Sequence, residues 1–255
     1  MLRIGIWPLA LAVSLAAPVP QSDSGEHVQR LAAVHDALGG QAAVAAVRTL
    51  RMVGTVENAN QFYGQSAAAA QEFLPYTLEV KVMLPDHYLE ISSGTLLPML
   101  RHDGFAGQRL LNARVTQGIT MSPYTGHAAM RSAKAQCARL MLLLLARIDT
   151  ALPLSPTAVG PASISFEGAD EFKAELRLDP STGLPKALAF TSRMVGSNEL
   201  REHLMVIDQR RREGGLLLPT RITTTSMGRT TRKMTFETVE VNPRLTKDDF
   251  PGGGQ

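Results

Sequence analysis

The chain has 255 residues, 44% hydrophobic and 19% charged, with 26 basic against 23 acidic residues for a net charge of +3. That length bounds it to one large or two small domains, able to bury roughly 70–75% of its unfolded surface without disulfides or metals. The longest run of like charge, Arg210–Arg212 before "EGG", reads as the solvated end of a hairpin, which argues against nucleic-acid binding.

The N-terminal "MLRIGIWPLALAVSLAAPVPQ" has one basic residue, Arg3, then an apolar stretch and small residues. This is the pattern of a secretory signal peptide over residues 1–17, cleaved after Ala16 or Ala17. It predicts an exported, periplasmic, soluble protein with residues 18–24 as a linker, no membrane span after cleavage, and one domain over 25–250. No cysteine lies near the cleavage site, so the chain itself is not expected to be lipidated.

From Ser24 to Val47, apolar residues at Val28, Leu31, Val34, Leu38, Val44 and Val47 recur at helical spacing, and Gly39-Gly40 breaks the helix in two. The period then changes to two. Leu50, Met52 and Val56 alternate with Arg51, Val53, Thr55 and Glu57; Tyr76, Leu78, Val80 and Val82 form one face of the cleanest strand. "LPDH" turns it, and His87, Leu89 and Ile91 run back in the next strand. "HDG" at 102–104 reads as another hairpin turn, because Asp-Gly tolerates positive φ.

"CARLMLLLLARI" at 137–148 contains seven uninterrupted apolar residues from Leu140 to Ala146. A bilayer takes roughly 20, yet the run is too apolar for a wet surface. On a helical wheel Cys137, Leu140, Met141, Leu144, Leu145 and Ile148 make one stripe, and Leu142, Leu143 and Ala146 a second side, so this helix is expected to be covered all round. Cys137 has no partner cysteine and is expected to be a buried thiol.

Beyond it, "EGAD" and "DPSTG" are turns in a meander. "EHLMVIDQRR", "LLLPTRITTTSM" and "KMTFETVEVN" are further strands. In the last, Met234 and Phe236 share one face and Val239 and Val241 the other, a phase slip that predicts a bulge or a strongly twisted strand. The tail 251–255, "PGGGQ", reads as a disordered end. The predicted class is α+β: a large curved antiparallel sheet, an open half-barrel of about nine to eleven strands, with helices covering its concave apolar face.

Three blocks carry a family resemblance: "ALGGQAAVAAVRTLRMVGTVE", then "LPDHYLEISSG" with "HDGFAGQRLLN", and "LRLDPSTGLPKALAF" followed by "GGLLLPTRITTTSMG" and "VEVNPRLTKDDFPGG". They resemble the LolA-like group of exported envelope proteins, the outer-membrane lipoprotein-sorting proteins. The resemblance implies an open half-barrel plugged by lid helices, a monomer that binds lipid or lipoprotein acyl chains. The implied cavity and lid residues are Leu50, Met52, Leu78, Val80, Val82, Leu140, Met141, Leu143, Leu144 and Ile148, with Arg51 as a lid tether.

There is no Gly-x-Ser-x-Gly, zinc-protease, Walker or Rossmann pattern, and the six histidines show no metal-ligand spacing. No catalytic residue, cofactor or metal is therefore expected. The main reading is a carrier or binder of acyl chains. Its alternatives are an envelope sensor or scaffold with a protein partner, and a hydrolase assembled from scattered residues.

Overall fold

The computed structural model describes residues 24–59, 73–94, 99–116, 119–121, 126–193 and 199–251. The signal peptide expected over 1–17, nearly all of the linker and all of the tail but Pro251 lie outside these residues. Helix α1 (Ser24–Leu38) and α2 (Gln41–Ala45) are separated by Gly39 and Gly40, both at positive φ. Six strands follow: β1 (Thr49–Ala59), β2 (Phe73–Met83), β3 (His87–Gly94), β4 (Met99–Ala106), β5 (Arg109–Thr116) and β6 (Ile119–Met121). After α3 (Gly126–Leu145) come β7 (Leu154–Gly160), β8 (Ser163–Gly168), β9 (Lys173–Leu178), β10 (Pro185–Arg193), β11 (Leu200–Glu213), β12 (Leu216–Ser226) and β13 (Arg229–Val241), then a single 3-10 turn, Lys247–Asp249.

All thirteen strands form one antiparallel sheet, in the order β6-β5-β4-β3-β2-β1-β13-β12-β11-β10-β9-β8-β7. The N- and C-terminal meanders are joined at the centre by β1 and β13. This exceeds the nine to eleven strands expected, for two reasons. The three-residue β6 is too short to show a period. β7 carries Pro156, which period reading takes as a breaker but which an edge strand tolerates.

Two glycines show why the strands take their registers. A Cβ on Gly54 would meet the Thr235 carbonyl oxygen at 1.9 Å, at the point where β1 and β13 slip register. That slip is the bulge predicted from the phase of β13. It leaves Val53 opposite Thr238 and Gly54 opposite Phe236, so Met234, Phe236, Val239 and Val241 all pack on one core. Gly104 corrects a second expectation. "HDG" is not a turn: β4 runs straight through it, and a Cβ on Gly104 would meet the Tyr88 carbonyl oxygen at 2.0 Å. The glycine permits close strand approach, and the turn falls at Gly107, at φ 60°.

Helix α3 packs within the curl of the sheet, touching β3, β4 and β5 on one side and β9, β10 and β12 on the other. Every residue from Leu140 to Ala146 is at most 2% exposed. A helix lying on a flat sheet would leave one face wet, so this segment requires the sheet to bend around it. The helix stops at Leu145 because Ala146 adopts φ 51°, and the Arg147 N–H reaches back to the Met141 carbonyl at 3.3 Å. Ile148 therefore lies past the helix and is half-buried. Val28 is 67% exposed, so the buried stripe of α1 starts below it, with Val34 and Leu38.

A second, smaller cluster lies on the opposite face of the sheet. Leu89, Leu111 and Phe250 are 0% exposed, with Met83, Ile91 and Leu245 packed around them. The C-terminal segment covers this face. Arg109 donates to the Phe250 carbonyl at 3.0 Å, and the His87 and Phe250 rings meet edge-on at 5.2 Å.

Candidate functional site

Register decides which chemistry faces α3. Val82 pairs with Tyr88 and Tyr88 with Phe105; Val80 pairs with Glu90, Glu90 with Asp103 and Asp103 with Asn112. Side chains alternate faces along a strand, so these rows share the face that carries Leu78, Val80 and Val82. His87, Leu89 and Ile91 belong to the face covered by Phe250. The inner face thus begins apolar at β1 and β2 and becomes ionisable at β3 and β4.

Between that ionisable region, the N-terminal half of α3, the 169–172 turn and the end of β10 lies a cavity of about 1120 Å³. Its wall carries Glu90, Asp103, Asp170 and Glu171, and also Arg101, Arg131, Arg139, Arg193 and Arg232. Each carboxylate has an arginine. Arg232 reaches Glu90 at 2.5 Å, Arg193 reaches Glu171 at 2.5 Å, Arg131 lies 3.6 Å from Asp170, and Arg101 pairs with Asp103. Tyr88 donates its hydroxyl to Glu90 at 3.2 Å. Burial pushes the Tyr88 hydroxyl well above its ordinary pKa, helped by the Glu90 charge. Burial also raises the Asp103 carboxyl against the opposing pull of Arg101. Burial acts to lower the Arg232 pKa, but Glu90 and Tyr88 outweigh it and hold the guanidinium charged.

Arg139 differs from the other four in forming no ion pair among the described residues; its Nε, like those of Arg101 and Arg232, is sealed from solvent without an acceptor. Its guanidinium carbon lies 4.2 Å from the centroid of the Phe190 ring and 5.6 Å from that of Phe172. Burial alone pushes its pKa down to about 10. Phe190 in turn stacks on His203 at 4.9 Å, and the His203 Nε2 and Ser192 Oγ are 2.8 Å apart. The ring is bonded to no carboxylate among the described residues, so the orienting third member of a hydrolytic triad is not present there.

The residues expected to contact acyl chains lie elsewhere. Leu50, Met52, Leu78, Val80, Val82, Leu140, Met141, Leu143 and Leu144 are all at most 2% exposed within one continuous core, with Ile148 packed on its margin. None of the ten lines the cavity, which meets this core through Tyr88, Leu152 and Phe172. Arg51 is on the other face of β1, donating to Glu79 at 2.7 Å and to Glu240 at 3.4 Å. The tie between the end of α3 and the start of β1 is Arg147. It is 7% exposed and donates to the carbonyls of Val44 at 3.2 Å and Val47 at 2.7 Å, while its Nε donates to Asp149 at 2.7 Å. Arginine at the end of an apolar run, two residues before an aspartate, is the signal that could have found it.

A single large curved antiparallel sheet, with α3 touching strands from both of its halves, defines the class of fold. Solved structures carry the comparison further. The chain is similar over 86% of its length to an outer membrane lipoprotein-sorting protein domain from Vibrio parahaemolyticus, of which 95% is covered, at 10% identity and a TM-score of 0.51. It is similar over 90% of its length to a DUF1329 family protein from Desulfovibrio piger, of which 98% is covered, at 7% identity and a TM-score of 0.52. A LolA superfamily protein from Nitrosomonas europaea aligns over 88% of this chain and 96% of its own, at 14% identity and a TM-score of 0.48. The fold is LolA-like. No family model and no curated relative matches the sequence. Among the described residues, no helix is long and apolar enough to cross a membrane.

Proposed function

We propose that the protein is an exported, periplasmic binder of acyl chains, carried by lipids or lipoproteins, with α3 as the element that an incoming chain displaces. One observation carries this reading. The cavity joins a charged wall to the main apolar core through Tyr88, Leu152 and Phe172, which is the surface an amphiphile needs. The polar end stays at the charged wall, and the acyl chain runs along the leucine-rich half of α3. There it meets the side chains of Leu50, Met52, Leu78, Val80 and Val82 once Leu140, Met141, Leu143, Leu144 and Ile148 give way. The signal-peptide pattern of residues 1–17 supports export, and the lipoprotein-sorting relative supports lipid as the cargo.

Solvent extraction and mass spectrometry of the purified protein, together with titration by a fluorescent fatty acid, test the proposal. Copurified lipid and saturable binding are expected. A protein that carries no lipid and binds no fatty acid would instead be a sensor or scaffold for an envelope protein partner. The closure of the core, at most 2% exposed at nine of those ten positions, favours that second reading.

A further inference from the structure

We infer that the charged end of the cavity is a head-group site for an amphiphile with a single anionic group, a carboxylate or a phosphate monoester, and that Arg139 is its ligand. The inference rests on the acyl-chain reading and adds the chemistry of the head.

The argument begins with the charge balance of the wall. Four carboxylates each hold an arginine there, which leaves Arg139 as one uncompensated cation. A buried charge without a counter-charge costs several kcal/mol, so a protein that keeps one on its core helix needs a reason for it. The two rings beside it supply part of the compensation, because an aromatic face attracts a cation. They do not supply acceptors. A guanidinium carries five in-plane N–H donors, and a ring face engages the charge rather than those edges. The Arg139 guanidinium has no hydrogen-bond acceptor among the described residues; its Nε, like those of Arg101 and Arg232, is sealed off, which leaves the terminal N–H groups of a side chain that lines the cavity to take a ligand. The missing partner is negative and rich in acceptors, as the planar carboxylate and the tetrahedral phosphate both are toward an arginine.

The surroundings fix the rest of the ligand. Phe172 both stacks against Arg139 and belongs to the main core, and Leu152 and Tyr88 continue the wall toward that core. An anion held at Arg139 thus has apolar surface beginning one side chain away. The four neighbouring arginines cannot serve as well, because each is already neutralised. A second anion would find no uncompensated cation, because the four carboxylates and their arginines already balance, so one anionic group is what the wall accommodates.

The test compares three probes of equal chain length: palmitate, hexadecyl phosphate and hexadecanol. Affinities are measured on delipidated protein expressed from the full chain. A charge-assisted arginine contact corresponds to a preference of at least about tenfold for an anion over the alcohol, and the tighter of the two anions identifies carboxylate or phosphate as the native head. Arg139→Gln is expected to erase that preference, bringing the three affinities together; Arg139→Lys is expected to keep most of it. Equal affinity of the wild type for all three probes would overturn the head-group site and leave the acyl-chain reading standing, as would a preference that survives in Arg139→Gln. Failure to bind any of the three would overturn both. The wild-type comparison decides the matter even if Arg139→Gln does not fold.

Discussion

The two halves of α3 differ sharply in burial. From Cys137 to Leu145 eight of the nine residues are buried; the exception is Arg139. From Gly126 to Gln136 none is. The backbone is continuous and the sheet is the same, so the difference comes from what the strands present. Opposite the C-terminal half the inner face carries valine, leucine, methionine and phenylalanine. Opposite the N-terminal half it carries Glu90, Arg101, Asp103 and Arg232. The helix answers with its own change of side chain. Leucines fill the dry end, while Ala128, Ala129, Ala133 and Ala135 leave the other end hollow. A cavity at a helix surface follows from small side chains there, and the leucine run is tolerated because it has no wet face.

The largest expected effect tests the dry half. Leu143 and Leu144 were distinguished by the helical wheel as lying on different sides, yet they are 0% and 1% exposed. Truncation of either to alanine is expected to cost roughly 2–5 kcal/mol in urea unfolding, since each opens a void in packed core. A loss below about 1 kcal/mol at Leu143 alone would show that its side of the helix faces loosely filled space, and would move the boundary between the halves.

Arg147 comes next. It closes the dry end by donating to the two carbonyls where α2 meets β1. Arg147→Met keeps the volume but strands both acceptors. It is expected to cost about 2–3 kcal/mol, a fall of roughly 4–12 °C in Tm for a chain of this size. An unchanged Tm would mean that water replaces the guanidinium there and that this end is not dry.

The legibility of the sequence divides along the same line. Periodicity found the leucine helix, the alternation of β1 and β2 and the bulge in β13, because apolar burial leaves a period in the chain. It missed the charged cavity, because that cavity has none. Glu90, Asp103 and Arg232 lie on three strands and meet only through register. Period alone does not say which face of β3 meets α3, since both faces of that strand are covered and the cover on one of them is Phe250, some 160 residues away. Arg51 was singled out for its place on the first strand, but its alternation with Leu50 and Met52 already puts it on the opposite face from α3. The turn "LPDH" held the missing information. Once it sets Met83 opposite His87, Val80 must face Glu90.

Acid is expected to act beside the wet half, at His203, and on the far face of the sheet, at His102. Burial, with the nearby charges of Arg139 and Arg201, lowers the His203 pKa below 6.5; burial also lowers that of His102. A histidine whose folded pKa is depressed takes up its proton more readily in the unfolded chain. Stability is therefore full above the unfolded pKa of about 6.5 and is lost as pH falls from there through the folded pKa, below which the loss stops growing. Thermal melts from pH 7.5 to 5 should show a falling Tm, with a shallower slope in His203→Gln. Identical slopes would assign the effect to other groups.

The smallest expected change in stability is also the sharpest test of the two halves. Ala133 lies on the cavity wall, half-buried and packed at the margin of the core. Leucine is nearly as good a helix former as alanine, so Ala133→Leu does not disturb α3 as a helix. In a dry, filled site three added carbons would cost about 1–3 kcal/mol through overpacking. Here they enter a cavity of about 1120 Å³, where burial of new apolar surface offsets much of any crowding, and the net change in unfolding free energy is expected to stay within about 0.5 kcal/mol. Binding of a fluorescent fatty acid should fall by contrast, because the added side chain stands between the charged wall and the core. Measured together, the two numbers separate a ligand site from a packing defect. Unchanged stability with weakened binding makes the hollow half of α3 the ligand's place. A stability loss like that of Leu143→Ala would mean that both halves of the helix are core.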